Sequence, residues 1–164
     1  MRLNQATQYA IWVTVHLVSR PGEQVSAGDL ADLFGISQHH LAKVIRSLAF
    51  ARLVTSTRGP GGGCQFIADP KRVTLFDIIS LFEDNWSGDR PRAQKPDSPP
   101  TLAEVSRVLS EIDRITLATL RSITLQTIVN NTERRSIQHN VADSAAGNAN
   151  GAARATNTVT DGDT

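Results

Sequence analysis

Apolar residues recur at helical spacing through the first third of the chain, separated by short polar stops. Tyr9, Val13 and Leu17 lie four residues apart, which predicts a helix from Leu3 to Val18, and Arg20-Pro21-Gly22 ends it. Ser26, with Asp29 three residues on, has the pattern of a capping box and opens a short helix, Ala27 to Phe34. Gly35 follows, a residue that takes the positive φ of a helix end without steric cost, so the chain can turn within three residues. Ser37 then caps a third helix, whose Leu41, Val44, Ile45 and Leu48 form one apolar stripe. Two short helices across a tight turn make a helix-turn-helix pattern.

Past Phe50 the period changes. Leu53 to Thr57 and Cys64 to Ile67 are β-prone runs separated by Arg58-Gly59-Pro60-Gly61-Gly62-Gly63, which predicts a hairpin with a projecting, glycine-rich tip. Three helices followed by a hairpin is the winged-helix order. Thr74 and Asp77 form a second capping-box pattern, with Val73 and Ile78 placed as a hydrophobic staple, so a helix is expected from Leu75 to Glu83. Ser87 to Pro100 carries four prolines, Gly88 and mixed charges, the composition of a long mobile loop. Thr101 and Glu104 give a third capping-box pattern, and Leu102, Val105, Leu109, Ile112, Thr116, Thr119 and Ile123 then alternate in steps of three and four. A helix of that extent is about 33 Å long, and alone it cannot satisfy such a stripe in water. It either packs on its own domain or pairs with the same helix of a second subunit, and pairing is the expectation. Thr124 caps a final short helix to Val129, and from Ile137 onward Ala, Asn, Gly, Thr and Asp dominate without periodicity. The expected architecture is mainly α with a small β wing. It divides into a winged helix-turn-helix domain (1–86), a mobile loop (87–100), a long C-terminal dimerisation helix with a short helix after it (101–130) and a disordered tail (131–164).

At 164 residues and 17.7 kDa the chain holds one domain with a real core plus appendages. Its 40% hydrophobic and 5% aromatic content means a core of Leu, Ile, Val and Ala. No apolar run reaches the roughly 20 residues that span a bilayer, and Arg2 is followed by polar residues without a small-residue cleavage site, so a cytoplasmic protein is expected. The net charge of +1 conceals a polarity: residues 1–72 sum to +4 and residues 73–164 to −3. A basic N-terminal half suits a polyanion.

The chemistry concentrates at the start of the third helix. With the Leu41 stripe inward, Gln38, His39, Ala42, Lys43 and Arg46 lie on the other faces, where Gln can pair with adenine, Lys and Arg with guanine, and His with a base edge or phosphate. Ser37, Gln38, His39, His40, Lys43 and Arg46 are therefore the candidate DNA-binding residues of this helix. Adjacent histidines point about 100° apart, and no His or Cys stands three or four residues away, so no metal site is expected. The tip Gly59-Pro60-Gly61-Gly62 lacks the Lys-Ser/Thr pair of a phosphate-binding P-loop and does not precede a helix. As a wing it lets backbone approach phosphates closely, with Arg58 at its base suited to a narrow minor groove. No catalytic triad, Cys/His pair or carboxylate pair stands out, so no enzyme is expected. The single cysteine, Cys64, excludes an intrachain disulfide and a multi-cysteine metal site built from one subunit. It is a candidate thiol switch, its pKa lowered by nearby Arg58, or a strand cysteine with no redox role.

Met1-Arg2-Leu3, Tyr9-Ala10, the segment Leu30 to Leu48, Leu53-Val54, the Arg58 to Gly63 tip and Leu75-Phe76-Asp77-Ile78-Ile79 together resemble the Rrf2 family of bacterial winged-helix repressors, which includes IscR and NsrR. The resemblance covers residues 1–86 closely, and Ile123-Thr124-Leu125 with Ile128-Val129 is similar to the family's C-terminal short helix. Gln38-His39-His40-Leu41-Ala42-Lys43-Val44 and Glu83-Asp84-Asn85-Trp86 resemble the NsrR branch more than the IscR branch. The resemblance implies a cytoplasmic homodimer, paired through the long helix by Leu102, Val105, Leu109, Ile112, Thr116 and Thr119, on a pseudo-palindromic double-stranded operator. It also implies, for many members, an iron-sulfur cluster on three cysteines of the loop before that helix. Here that loop has no cysteine, so no cofactor is expected and cluster-based sensing does not carry over. The function read from the sequence is a repressor acting as a homodimer, with an effector that the sequence does not name. The alternative is a protein-interaction module that works by heterodimerisation or by binding an enzyme or another regulator.

Overall fold

A computed structural model describes residues 3–57, 59, 62–83 and 99–138. Helix α1 runs Gln5–Val18, starting later than its apolar spacing suggests because Asn4 caps it: the Asn4 side chain accepts from the Thr7 N–H at 2.8 Å. Helix α2, Ala27–Phe34, begins at Ser26, whose hydroxyl accepts from the Asp29 N–H at 3.0 Å. Helix α3 spans Gln38–Phe50. Strands β1 (Val54–Ser56) and β2 (Cys64–Phe66) pair antiparallel, with Val54 opposite Phe66 and Ser56 opposite Cys64. A bridge from Val25 to Cys64 lies along the outer edge of β2.

Helix α4 covers Leu75–Ile79 and has the full capping box, with the Thr74 N–H reaching the Asp77 carboxylate at 2.8 Å and the Asp77 N–H returning to the Thr74 hydroxyl at 3.3 Å. It stops short of the predicted Glu83 because the chain tightens into three-residue turns, Leu81 N–H to Ile78 O and Phe82 N–H to Ile79 O. Helix α5 runs Pro100–Ser122. The capping box expected of Thr101 and Glu104 does not form: the helix starts with Pro100 in its first turn after Pro99, and the Glu104 carboxylate is taken by Arg107 at 2.7 Å. Residues 125–138 are helical, α6. Thr124 caps this helix by accepting the Thr127 N–H at 3.2 Å, as expected. It runs past Val129, so residues 131–138, expected in the tail, are helical; good helix formers such as Glu133, Arg134 and Arg135 sustain it. The described residues up to Val129 belong to one compact unit, and residues 130–138 belong to a second.

The core joins α1, α2, α3, the strands, Ile78, Leu125 and Val129. Its fully buried leucines and isoleucines contribute roughly 1.5–3 kcal/mol each. The C-terminal end of α5 is fixed to this core by a second bridge: the Leu75 N–H meets Ile123 O and the Leu125 N–H meets Val73 O, each at 2.9 Å, with Arg121 4.4 Å above the Phe76 ring. Leu120 is the buried residue of α5, whereas Leu102, Val105, Leu109 and Ile112 are 55, 55, 38 and 53% exposed.

Candidate nucleic-acid interface

The turn between α2 and α3 is closed by backbone chemistry. Gly35 adopts φ 63°, and the N–H groups of Gly35 and Ile36 return to Asp32 O and Ala31 O, while the Ile36 side chain is buried. Ser37 follows as the α3 cap, its hydroxyl accepting from the His40 N–H at 3.3 Å. These constraints fix the rotation of α3. Leu41, Val44, Ile45 and Leu48 are at most 6% exposed, and Ser37, Gln38, His39, His40, Lys43 and Arg46 are all exposed.

Within that exposed set the helix separates two groups. His39, Lys43 and Arg46 follow one another by four and three residues along the face opposite the core, so they project together. Phe50 continues the same column four residues on and is 92% exposed. No sequence motif marks Phe50; its spacing of four residues from Arg46 is the signal that puts it on this column. His40 and Ser47 turn to the flank, toward a cleft of about 210 Å³ bounded by Gln5, Ala6, Tyr9 and Phe82, with Lys43 on the border between the cleft and the outward face. The His39 and His40 rings stand 6.4 Å apart.

The wing is closed at its base by the Thr57 N–H to Gly63 O bond of 2.9 Å and the Gly62 N–H to Gly59 O bond of 2.9 Å, with Gly59 at φ 108°. Arg58, Pro60 and Gly61 lie outside the described residues. Gly63 has a steric role that flexibility does not explain: a Cβ there would fall 2.7 Å from Val25 O. That closeness comes from the Val25 bridge, in which the Cys64 N–H reaches Val25 O at 2.8 Å and the Val25 N–H reaches Cys64 O at 3.0 Å.

Cys64 belongs to this packing. It is 1% exposed, its Sγ–H donates to Val25 O at 3.5 Å, and burial pushes its thiol pKa up. Desolvation disfavours the thiolate, which supports the reading of Cys64 as a strand cysteine with no redox role over that of a thiol switch. His16 has its pKa lowered, first by burial and then by Arg20, whose guanidinium lies within 3.0 Å of the ring nitrogens; it packs edge-on to Phe34 at 5.6 Å.

The Rrf2 family, described as iron-dependent transcriptional regulators, matches residues 3–131. The chain belongs to this family. BadM of Rhodopseudomonas palustris, named as an HTH-type transcriptional regulator, is 47% identical over 137 residues, 82% of this chain and 86% of that protein. The HTH-type transcriptional regulator NsrR of Bacillus subtilis is 31% identical, over 81% of this chain and 93% of its own length. Among solved structures, CymR, the global cysteine regulator of B. subtilis, has a TM-score of 0.67 and 25% identity over 80% of this chain and 98% of that one. The protein is thus a transcriptional regulator of the Rrf2 family, with its helix-turn-helix in the arrangement described.

The family's iron raises the question of ligands. A cysteine-ligated iron-sulfur cluster does not fit this donor set: the chain has one cysteine, and that thiol is enclosed beside Val25. Among the described residues no three His, Cys, Asp or Glu side chains are grouped to hold a metal ion. No described helix is long and apolar enough to cross a membrane.

Proposed function

We propose that this regulator is a homodimeric repressor that presents α3 to the major groove and its wing to the adjacent backbone, and that it works without a cysteine-ligated cluster. The observation that carries the reading is the division of α3, whose buried Leu41 stripe braces an outward column of His39, Lys43 and Arg46. In this reading Lys43, Arg46 and Arg58 supply phosphate affinity, and Gln38, His39 and His40 contribute base discrimination. Ser37 and the glycines of the tip, Gly59, Gly61 and Gly62, together with Pro60, bring backbone close to the strand. The bare stripe of α5 supports pairing of two copies, which places two α3 helices on successive half-sites. A location in the cytoplasm, where the chromosome is, follows from the same reading.

Binding of the purified chain to a library of genomic fragments, followed by titration on the enriched sequence, tests it. Enrichment of a pseudo-palindrome with a steep salt dependence is the expected result, and binding that shows neither sequence preference nor salt dependence would remove the reading. The cluster is tested separately by anaerobic purification with iron and sulfide assay and visible absorption. Stoichiometric iron and sulfide with charge-transfer bands would overturn a cluster-free protein.

A further inference from the structure

We infer that the cleft between α1 and α3 is a binding site for a small organic carboxylate, and that its occupation weakens the hold of α3 on DNA; the second half of this inference rests on the function proposed above. The cleft has a volume of about 210 Å³. An apolar cavity of roughly 150 Å³ admits benzene, so the space accepts a body of one ring or a short alkyl chain plus a polar head. Ala6 and Tyr9 from α1, Val44 from α3 and Phe82 from the turn after α4 form its walls and present mostly carbon. Lys43 and His40 stand on its α3 side.

The sign of the charge follows from what lines the cleft. Lys43 is a cation at the border, and among the described residues that line the cleft there is no carboxylate. Glu83, which follows Phe82 in the chain, is directed to the start of α1, where its Oε1 accepts from the Asn4 N–H at 2.8 Å and the Thr7 hydroxyl at 2.7 Å. An incoming anion therefore meets an ammonium group and, among the described residues of the wall, no competing carboxylate, while its apolar part covers the Tyr9 and Phe82 rings. Lys43 also sits one helical step from His39 and Arg46 on the outward face. A carboxylate paired with Lys43 takes that ammonium from a DNA phosphate and adds a negative charge beside the backbone. Binding of the carboxylate and of DNA are consequently antagonistic, and by linkage each weakens the other by the same factor.

The test uses the full chain in two assays. Calorimetry on DNA-free protein with sodium phenylacetate, sodium hexanoate and sodium cyclohexanecarboxylate should show binding of at least one at a Kd of millimolar order or better. Phenylacetamide, with the same ring and no charge, should bind more weakly. Operator affinity, measured at constant ionic strength with sodium chloride as balance, should fall on the order of tenfold with the carboxylate that binds and not with the amide. Gln5→Trp, from an exposed position at the mouth, and Ala6→Phe, from the wall, should each abolish carboxylate binding and retain operator affinity. No calorimetric binding of any of the three acids, or equal binding to the Gln5→Trp protein, overturns the site itself. Binding of a carboxylate with unchanged operator affinity overturns the antagonism and leaves the DNA-binding reading standing. A chain that binds carboxylate but no DNA sequence defeats the function proposed above and leaves the site.

Discussion

Helices α3 and α5 are both amphipathic, yet their apolar stripes end in opposite environments. In α3 the stripe residues Leu41 and Leu48 are fully buried, whereas in α5 Leu102, Val105 and Ile112 each keep more than half of their surface exposed. The difference is one of partners. The α3 stripe meets α1, α2 and the strands of its own chain, and among the described residues α5 is fastened to the same core near its C-terminal end, through Leu120 and the Thr74–Thr124 bridge. Periodicity reports that a face must be covered; it does not say by which chain.

The comparison breaks most readily at α5. Glu at both Leu109 and Ile112 should separate the proposed dimer, because each side chain is buried once per protomer at roughly 1.5–3 kcal/mol, a loss of more than a hundredfold in association. Sedimentation velocity should show monomer with the helical circular dichroism retained, and operator affinity should fall in parallel. An intact dimer in that double variant would refute the α5 seam as the interface.

The corresponding change in α3 has a different signature. Leu41→Ala removes a fully buried side chain from the domain core and should cost about 2–5 kcal/mol of folding stability, seen as a lower denaturation midpoint at unchanged protein concentration. If Leu41→Ala were as stable as the parent, α3 would not be braced in the way described. On the opposite face of the same helix, Arg46→Ala should leave stability within about 0.5 kcal/mol and reduce the salt dependence of DNA binding by about one unit of log–log slope. A slope equal to the parent's would place Arg46 away from phosphate.

Local rules made much of this legible in the sequence. The Ser26, Ser37 and Thr74 caps and the αL turn at Gly35 depend on residues within a few positions of one another, and the structure places each where the pattern puts it. What escaped depends on contacts between distant segments. Gly63 looks like part of a loose tip until Val25 is laid beside it, and the sequence leaves two readings of Cys64 open until the same strand edge is seen to enclose its sulfur. The Thr101 and Glu104 pattern failed for a nearer reason, since Arg107, three residues beyond Glu104, competes for the same carboxylate. The α1–α3 cleft could not be read from sequence, because Tyr9, Lys43 and Phe82 meet only once three elements are packed.

Phe50 gives the finest test of how α3 differs from α5, since it is an exposed apolar residue on the helix whose other large apolar residues are all buried. Its ring lies in the column of His39, Lys43 and Arg46, and at 92% exposure it stabilises nothing within the chain. Phe50→Ala should therefore change folding stability by less than about 0.5 kcal/mol. If the column faces DNA, the ring is positioned to cover a thymine methyl or a sugar, and its loss should weaken operator binding by about 1 kcal/mol, the value of partly burying such a side chain. Because that contact carries no charge, the salt slope should stay at the parent value, in contrast to Arg46→Ala. Anisotropy titrations of the variant and parent on one operator at three salt concentrations measure both quantities, and parallel lines displaced by a few-fold in affinity are the expected result. Coincident lines would put Phe50 off the DNA and leave its exposure to be covered, like the stripe of α5, by a protein surface.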